Sequence, residues 1–268
     1  MNFFIYVATS LRFDFIFLFK VKFNVFKKIW FIFLKYTLLI KNLFYYKYGK
    51  SSIKMFGHDF YFPNKYGLLS LQRVFVDNFY LKEYIGTCQT VIDVGAHIGE
   101  FHIFAKEYLG ADIIYSFEPY QKSFLLLDKN TAGKNNYNYA VSNQEEAKLY
   151  ISKVSTQLNS LNPTTETNHC DVETCKCVKL DDIFTDSNKK FDLLKIDAEG
   201  HEYIVLQTAV NLLKRCKYVL IELGLNNSSD PLATMNFIMQ ANSNFHIIAF
   251  SDYRLGQSSI DVLLSSAH

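Results

Sequence analysis

Residues 91–101, Val91-Ile92-Asp93-Val94-Gly95-Ala96-His97-Ile98-Gly99-Glu100-Phe101, constrain this chain more than any other stretch. They read as a buried strand over residues 90–94, a glycine turn, and a helix running to about Leu109. Gly95 permits a backbone shape that a Cβ would obstruct, and Gly99 lets helix and strand pack closely. A turn of this kind directs backbone N–H groups at a helix start, which favours a polar or anionic ligand group. One βα unit downstream, a strand over residues 112–117 ends in Glu118, where a carboxylate can accept both hydroxyls of a ribose. Gly95, Ala96, His97, Gly99 and Glu118 thus outline a nucleoside-binding cleft at the carboxyl ends of parallel strands.

The glycine spacing narrows the ligand. A dinucleotide site wants G-x-G-x-x-G to seat a pyrophosphate, whereas here the pattern is Asp93-x-Gly95-x-x-x-Gly99. Asp93 would repel a diphosphate but suits a ligand that carries an amino group. S-adenosylmethionine is therefore favoured over a nicotinamide dinucleotide. An NAD-dependent oxidoreductase is the alternative enzyme, and a membrane-docked cofactor-binding module without turnover is the alternative outside catalysis.

A second cluster lies further on. Residues 191–196 read as a buried strand with Asp197 at its carboxyl end, and residues 198–202 turn into a helix over residues 203–213. Asp197, Glu199 and His201 then sit near the mouth of the cleft. The next strand, residues 218–221, brings Glu222 to the same edge. Carboxylates held close raise one another's pKa, so such a cluster is costly to assemble without a task. The plain structural role of Asp197 and Glu199 is to hydrogen-bond the turn, and Glu202 suits a helix-capping carboxylate.

The runs VIDVGAHIGEF, FEP (residues 117–119), AVS (140–142), KLDDIF (179–184), LLKIDAEGHE (193–202) and VLIEL (219–223) occur in the order seen in FkbM-type methyltransferases. Over about residues 55–225 the chain resembles that family, with His97 where an asparagine is common and His201 where an alanine is common. The resemblance implies an α/β fold: a class I, Rossmann-like, mostly parallel seven-stranded sheet flanked by helices. It implies S-adenosylmethionine-dependent methylation of an oxygen on a sugar or natural product. Here the expected acceptor is a sugar hydroxyl in surface polysaccharide or glycoconjugate biosynthesis. In that architecture Ser142 and Asn143, just after a strand over residues 137–141, face the adenine. Asp197 is the expected central residue of catalysis, with Glu199 and His201 orienting substrate or taking the proton. Some related sugar methyltransferases use a divalent metal, and Asp197 with Glu222 would hold magnesium through hard oxygen ligands.

Charge is unevenly spread. Residues 1–50 hold nine basic side chains against Asp14 alone, a balance of +8; the whole chain carries +2, so the remainder carries −6. An acidic body disfavours nucleic acid as a partner. The head is aromatic and apolar, yet its longest charge-free run, residues 1–11, is short of the ~18 residues of a membrane span, and Arg12, Asp14 and Lys20 break any secretory signal. Between Asn24 and Asn42 a helix is expected, with Asn24, Lys28, Lys35 and Asn42 as a polar stripe and Ile29, Trp30, Phe33, Tyr36 and Leu39 in the apolar majority. It would lie on an anionic membrane surface with its lysines at the headgroups, or pack on the body or a second subunit. This gives an N-terminal helical extension over residues 1–50 and a catalytic domain over residues 51–268, working in the cytoplasm at the inner face of the membrane.

The remaining elements follow from local pattern. A hairpin is expected over residues 53–62 with a Gly57-His58 turn, then a helix over residues 67–85, a helix over 121–130, and strands over 147–151 and 172–180. The polar loop of residues 155–168 between those strands is long enough to be a lid or substrate loop. A helix over residues 229–241 and strands over 245–250 and 261–264 close the sheet, with Asp252, Tyr253 and Arg254 as surface-loop residues. The five cysteines form no disulfide framework. His169, Cys170, Cys175 and Cys177 match no common zinc spacing and are ordinary residues of the strand region.

Overall fold

The computed structural model describes residues 51–55, 58–63, 80–152, 156–162, 171–225, 230–251 and 259–266, with Val74 and single positions between 11 and 36. Contacts divide the chain into two compact units, Met1–Asn78 and Phe79–His268, beside the boundary at residue 50 expected from composition. In the first unit the described positions between Leu11 and Phe19 and between Val25 and Tyr36 are helical. They are followed by an antiparallel hairpin, β1 (Ser51–Met55) and β2 (His58–Phe62). His58 pairs with Met55 as a strand residue, not a turn residue. The helix expected over 67–85 falls mostly outside the described residues. Val74 is helical, but residues 82–84 form a turn closed by the Tyr84 N–H donating to the Leu81 carbonyl.

The second unit is built on a seven-stranded sheet. Its members are β3 (Thr90–Val94), β4 (Ile113–Phe117), β5 (Asn136–Tyr137), β9 (Phe191–Ile196), β10 (Cys216–Gly224), β11 (His246–Phe250) and β12 (Ser259–Ser265), in spatial order β11-β12-β10-β9-β3-β4-β5. The pairs from β5 to β10 are parallel, and β12 is antiparallel to both of its neighbours. The chain reverses direction across the sheet between β3 and β9, and open α/β sheets take ligands at the carboxyl edge of such a switch. Both central strands are largely buried on each face, which is why they read as mainly apolar runs, broken by Asp93 in β3 and by Asp192 and Lys195 in β9. Helices α1 (Glu100–Phe104), α2 (Gln121–Asn130), α3 (Leu180–Ile183), α4 (Glu202–Gln207), α5 (Val210–Leu213) and α6 (Pro231–Ala241) connect the strands. Val205, Leu206, Leu212, Leu213 and Ile238 join the core under β9 and β10.

Several expected elements are modified by contacts distant in sequence. The helix after Gly99 widens into a π-helical turn over Ala105–Leu109 and stops at Gly110, whose φ is 73°. The strand expected over 137–141 is two short pieces. Asn136–Tyr137 pairs with β4, the Asn138 side chain then donates to the Glu118 and Pro119 carbonyls, and β6 (Ala140–Val141) leaves for a second sheet. That three-stranded sheet, β6-β8-β7, contains β7 (Glu146–Ile151) and β8 (Asp171–Val178). Leu180, expected at the end of a strand, opens α3. The helix expected over 203–213 is interrupted at Thr208-Ala209. The Asp181 N–H takes the Thr208 carbonyl, and the Asp181 carboxylate accepts from the N–H groups of Asn211 and Leu212, starting α5 afresh. Asp230 caps α6 through the Ala233 N–H. Cys175 and Cys177 are free thiols on β8; His169, Cys170, Asp252, Tyr253 and Arg254 lie outside the described residues.

Gly95 is where β3 and β9 come closest. A Cβ built there would meet the Asp197 carbonyl oxygen at 1.8 Å, and the residue's φ is +80°. Gly95→Ala is expected to cost about 2–4 kcal/mol from overpacking together with left-handed strain. Gly86→Ala, whose Cβ would meet only the Tyr218 hydroxyl at 3.8 Å, should cost little. Urea denaturation of the two variants checks the contrast.

Candidate functional site

Strand register places the site. Phe117, Val94, Ile196, Ile221 and Val262 stand in one row across five strands. The next row toward the carboxyl edge is Glu118, Gly95, Asp197, Glu222 and Asp261, the last two paired directly across β10 and β12. Four of five positions carry a carboxylate, and the glycine is where the backbones nearly touch. The preceding row holds Ser116, Asp93, Lys195 and Leu220. Lys195, near the end of β9, lies 3.2 Å from an Asp93 oxygen and 3.3 Å from an Asp197 oxygen, and donates to the Gly95 carbonyl. Asp93 is fully buried, and the cationic partner it was expected to find in a ligand is supplied by the chain itself. Burial lifts the Asp93 carboxyl above the ordinary range against the pull of Lys195. The two anions outweigh burial at Lys195 and hold its ammonium charged.

The glycine turn binds inward. The N–H groups of Gly95 and Ala96 both donate to the Phe117 carbonyl, and the His97 N–H donates to Glu118 at 2.9 Å. The amides expected to face a ligand anion are thus spent on β4 and on Glu118. The other Glu118 oxygen accepts from the Tyr120 N–H. Burial still pushes this carboxyl up to about 7. His97 adopts a left-handed φ of 48°, faces Glu100 at 3.1 Å, and reaches the Thr156 hydroxyl at 2.8 Å. Burial would lower the His97 pKa, but Glu100 outweighs it and the pKa rises. Tyr80, which no sequence pattern marks, packs edge-on against Phe101 near these charges.

Across the switch, residues 198–202 form a tight turn. Glu199 and Gly200 have φ values of 50° and 92°, and the Glu202 carboxylate accepts from the N–H groups of Ala198 and Gly200. Asp197, Glu199 and Glu222 each bring an oxygen within 4.8 Å of the others, a donor set suited to a hard cation. Burial, and then Asp197 and Glu199, raise Glu222 well above the carboxylate range; its oxygen accepts from the Ser259 hydroxyl. Asp261, also missed, is pushed up to about 7 by burial and Asp197. The only sequence signal for Lys195 and Asp261 was a charge at a position that strand alternation makes interior.

His201 stands at the residue before α4 and its ring nitrogen lies 3.2 Å from the Ser142 hydroxyl; burial lowers its pKa, so the imidazole is neutral at pH 7. Ser142 is buried beside β6, while Asn143 is exposed. A cleft of about 510 Å³ opens here, lined by Ser142, Glu146, Lys148, Asn162, Thr174 and His201 among others. Residues 156–162 strap this region. Thr156 holds His97 at one end, while Ser160 and Asn162 donate to the carbonyls of Glu199 and Gly200 at the other.

Comparison with known proteins adds the following. The sequence profile described as the Methyltransferase FkbM domain matches residues 93–251. Among solved structures, an FkbM methyltransferase from Methylobacillus flagellatus is 16% identical with a TM-score of 0.47, covering 74% of this chain; the chain spans 54% of that protein. M. jannaschii TYW2, solved with AdoMet, is 12% identical with a TM-score of 0.41, the match covering 82% of this chain and 88% of that one. M. capricolum TrmK, solved with S-adenosyl-homocysteine, is 13% identical with a TM-score of 0.41, covering 74% and 67%. No curated protein matches the sequence.

Two outcomes test the electrostatics. Lys195→Met should cost about 3–5 kcal/mol by leaving Asp93 buried without a counter-charge, and adding Asp93→Asn should recover most of that loss; urea denaturation measures both. Asp261 has a folded pKa above its unfolded value, so it favours folding below about pH 4 and opposes it progressively as pH rises to about 7. Asp261→Asn should therefore gain stability relative to the parent at pH 8, on the order of 3 kcal/mol, and gain little at pH 4.

Proposed function

The chain belongs to the FkbM methyltransferase family and is an S-adenosylmethionine-dependent methyltransferase, and from that premise we propose that it methylates a sugar hydroxyl in surface polysaccharide or glycoconjugate biosynthesis. The observation that carries this reading is the carboxylate row at the mouth of the β3–β9 switch, with Lys195 as its internal cation. Such a row suits a ligand with a sulfonium and an ammonium, and repels diphosphates and nucleic-acid backbones. The NAD-dependent alternative falls with the family assignment.

Bound S-adenosylmethionine supplies an electrophilic methyl group. In our reading Glu118 accepts the ribose hydroxyls, Gly95, Ala96, His97 and Gly99 form the floor beneath the cofactor, and Ser142 with Asn143 borders the adenine. Asp197, half-exposed at the end of β9, would take the acceptor's hydroxyl proton as the oxygen–carbon bond forms and the methyl carbon–sulfur bond breaks, the electron pair leaving with sulfur as S-adenosylhomocysteine. Lys195 steadies that carboxylate from behind. Glu199, projecting from its left-handed turn, and neutral His201 orient the acceptor. A second reading keeps the same residues but adds magnesium: Asp197, Glu199 and Glu222 would hold it, and it would lower the acceptor hydroxyl's pKa. We place the reaction in the cytoplasm.

Calorimetric titration with S-adenosylhomocysteine, NADH serving as the comparison ligand, should give saturable binding of the first alone. With labelled S-adenosylmethionine and glycan acceptors, Asp197→Asn should lower kcat by about 10²–10⁴ while leaving S-adenosylhomocysteine affinity within about twofold. Loss of turnover in EDTA with recovery in magnesium selects the metal-assisted form. Cofactor binding without transfer to any hydroxyl acceptor would sink the O-methylation reading.

A further inference from the structure

The described helical positions between Leu11 and Tyr36 have their polarity turned inside out. Asp14 and Lys28 are 6% and 7% exposed. Eight large apolar side chains face outward: Leu11, Phe15, Phe19, Val25, Phe26, Ile29, Trp30 and Phe33, with Phe26 84% exposed. Water favours the opposite arrangement.

The buried polar groups are satisfied internally. The Tyr36 hydroxyl donates to Asp14 at 2.7 Å, and the Lys28 ammonium donates to the Leu18 carbonyl at 2.6 Å. These two contacts pair an early helical stretch with a later one in antiparallel sense. Asp14 and Leu18 lie four residues apart on one helix, as do Lys28, Ile32 and Tyr36 on the other, so each stretch turns a single stripe inward. Lys28, expected at a lipid headgroup, is instead part of that inner seam. Polar pairs inside and aromatic side chains outside is the distribution that an apolar solvent selects.

We propose that this helical pair is a wedge that inserts its outer aromatic face into one leaflet of an anionic bilayer. Charge complementarity supports lipid as the occupant: the first fifty residues carry +8, while the rest of the chain is acidic. No helix among the described residues is long and apolar enough to cross a membrane. The antiparallel pairing, Asp14 with Tyr36 and Leu18 with Lys28, leaves the apolar positions of both stretches free to enter the same leaflet. This assignment does not depend on the identity of the methyl acceptor.

Trp30 is the chain's single tryptophan and lies on the proposed inserting face, so the 268-residue chain reports on itself. Vesicles of phosphatidylcholine with about 30% phosphatidylglycerol should shift Trp30 emission to the blue and bind about tenfold more tightly than phosphatidylcholine alone. Nitroxide-labelled acyl chains should quench that emission. Phe26→Glu, at the most exposed of these positions, should weaken partitioning about tenfold with helix content unchanged by circular dichroism. Emission unaffected by vesicles, or already blue-shifted in a lipid-independent dimer detected by light scattering, would overturn the proposal, the second by assigning the face to another copy of the chain. Unchanged partitioning of Phe26→Glu would overturn it as well.

Discussion

The buried Asp93–Lys195 pair is the contact on which the catalytic unit depends. It joins the two strands at which the sheet reverses, so the two halves of the cleft are tied by charge as well as by backbone hydrogen bonds. A buried ion pair is weak evidence for added stability, because both charges have been taken out of water. Its value here is positional. Lys195 reaches forward to Asp197 from the same ammonium, so a rigid pair in the core fixes a half-exposed carboxylate at the mouth. Gly95 completes the arrangement by letting the two strand ends meet without a side chain between them.

From that anchor the chemistry of the edge follows a simple order. One step along the strands, the apolar row gives way to carboxylates on both sides of Gly95. Asp197, near the centre, keeps contact with Lys195, while Glu222 and Asp261 are paired directly on adjacent strands. Like charges in that relation destabilise a sheet unless protonated or neutralised. The row is thus graded, from Asp197, held by the Lys195 ammonium, to the proton-holding carboxyl of Glu222. In the proposed reaction the acceptor's proton goes to Asp197 and not to Glu222, whose carboxyl already holds one.

Much of this was legible in the sequence because it depends on short-range pattern. The apolar runs of β3, β4, β9 and β10 marked a parallel sheet, and the glycine turn and the Asp197-to-Glu202 turn marked its functional edge. The failures share a cause. The break at Thr208-Ala209 depends on Asp181, some thirty residues away. The departure of residues 138–141 from the main sheet depends on Asn138 binding two carbonyls beyond Phe117. The inward amides of Gly95 and Ala96 depend on where the Phe117 carbonyl points, and the inward Lys28 on a partner helix. Lys195 and Asp261 were visible only as charges in apolar strands. Periodicity gives a face; it does not give the neighbour that waits there.

The two outer strands of the seven-stranded sheet bear on a different property. At one edge β5 is only two residues long before the chain turns away at Asn138, and at the other β11 carries a register irregularity between Ile247 and Ala249. An open edge invites a further strand from another molecule, and short or bulged edges offer too few aligned donors and acceptors to hold one. The same turning-away that spoils a regular sheet at Asn138 therefore protects the folded protein against edge-to-edge aggregation. At that edge the two Asn138 hydrogen bonds that end the strand also keep it too short to recruit another.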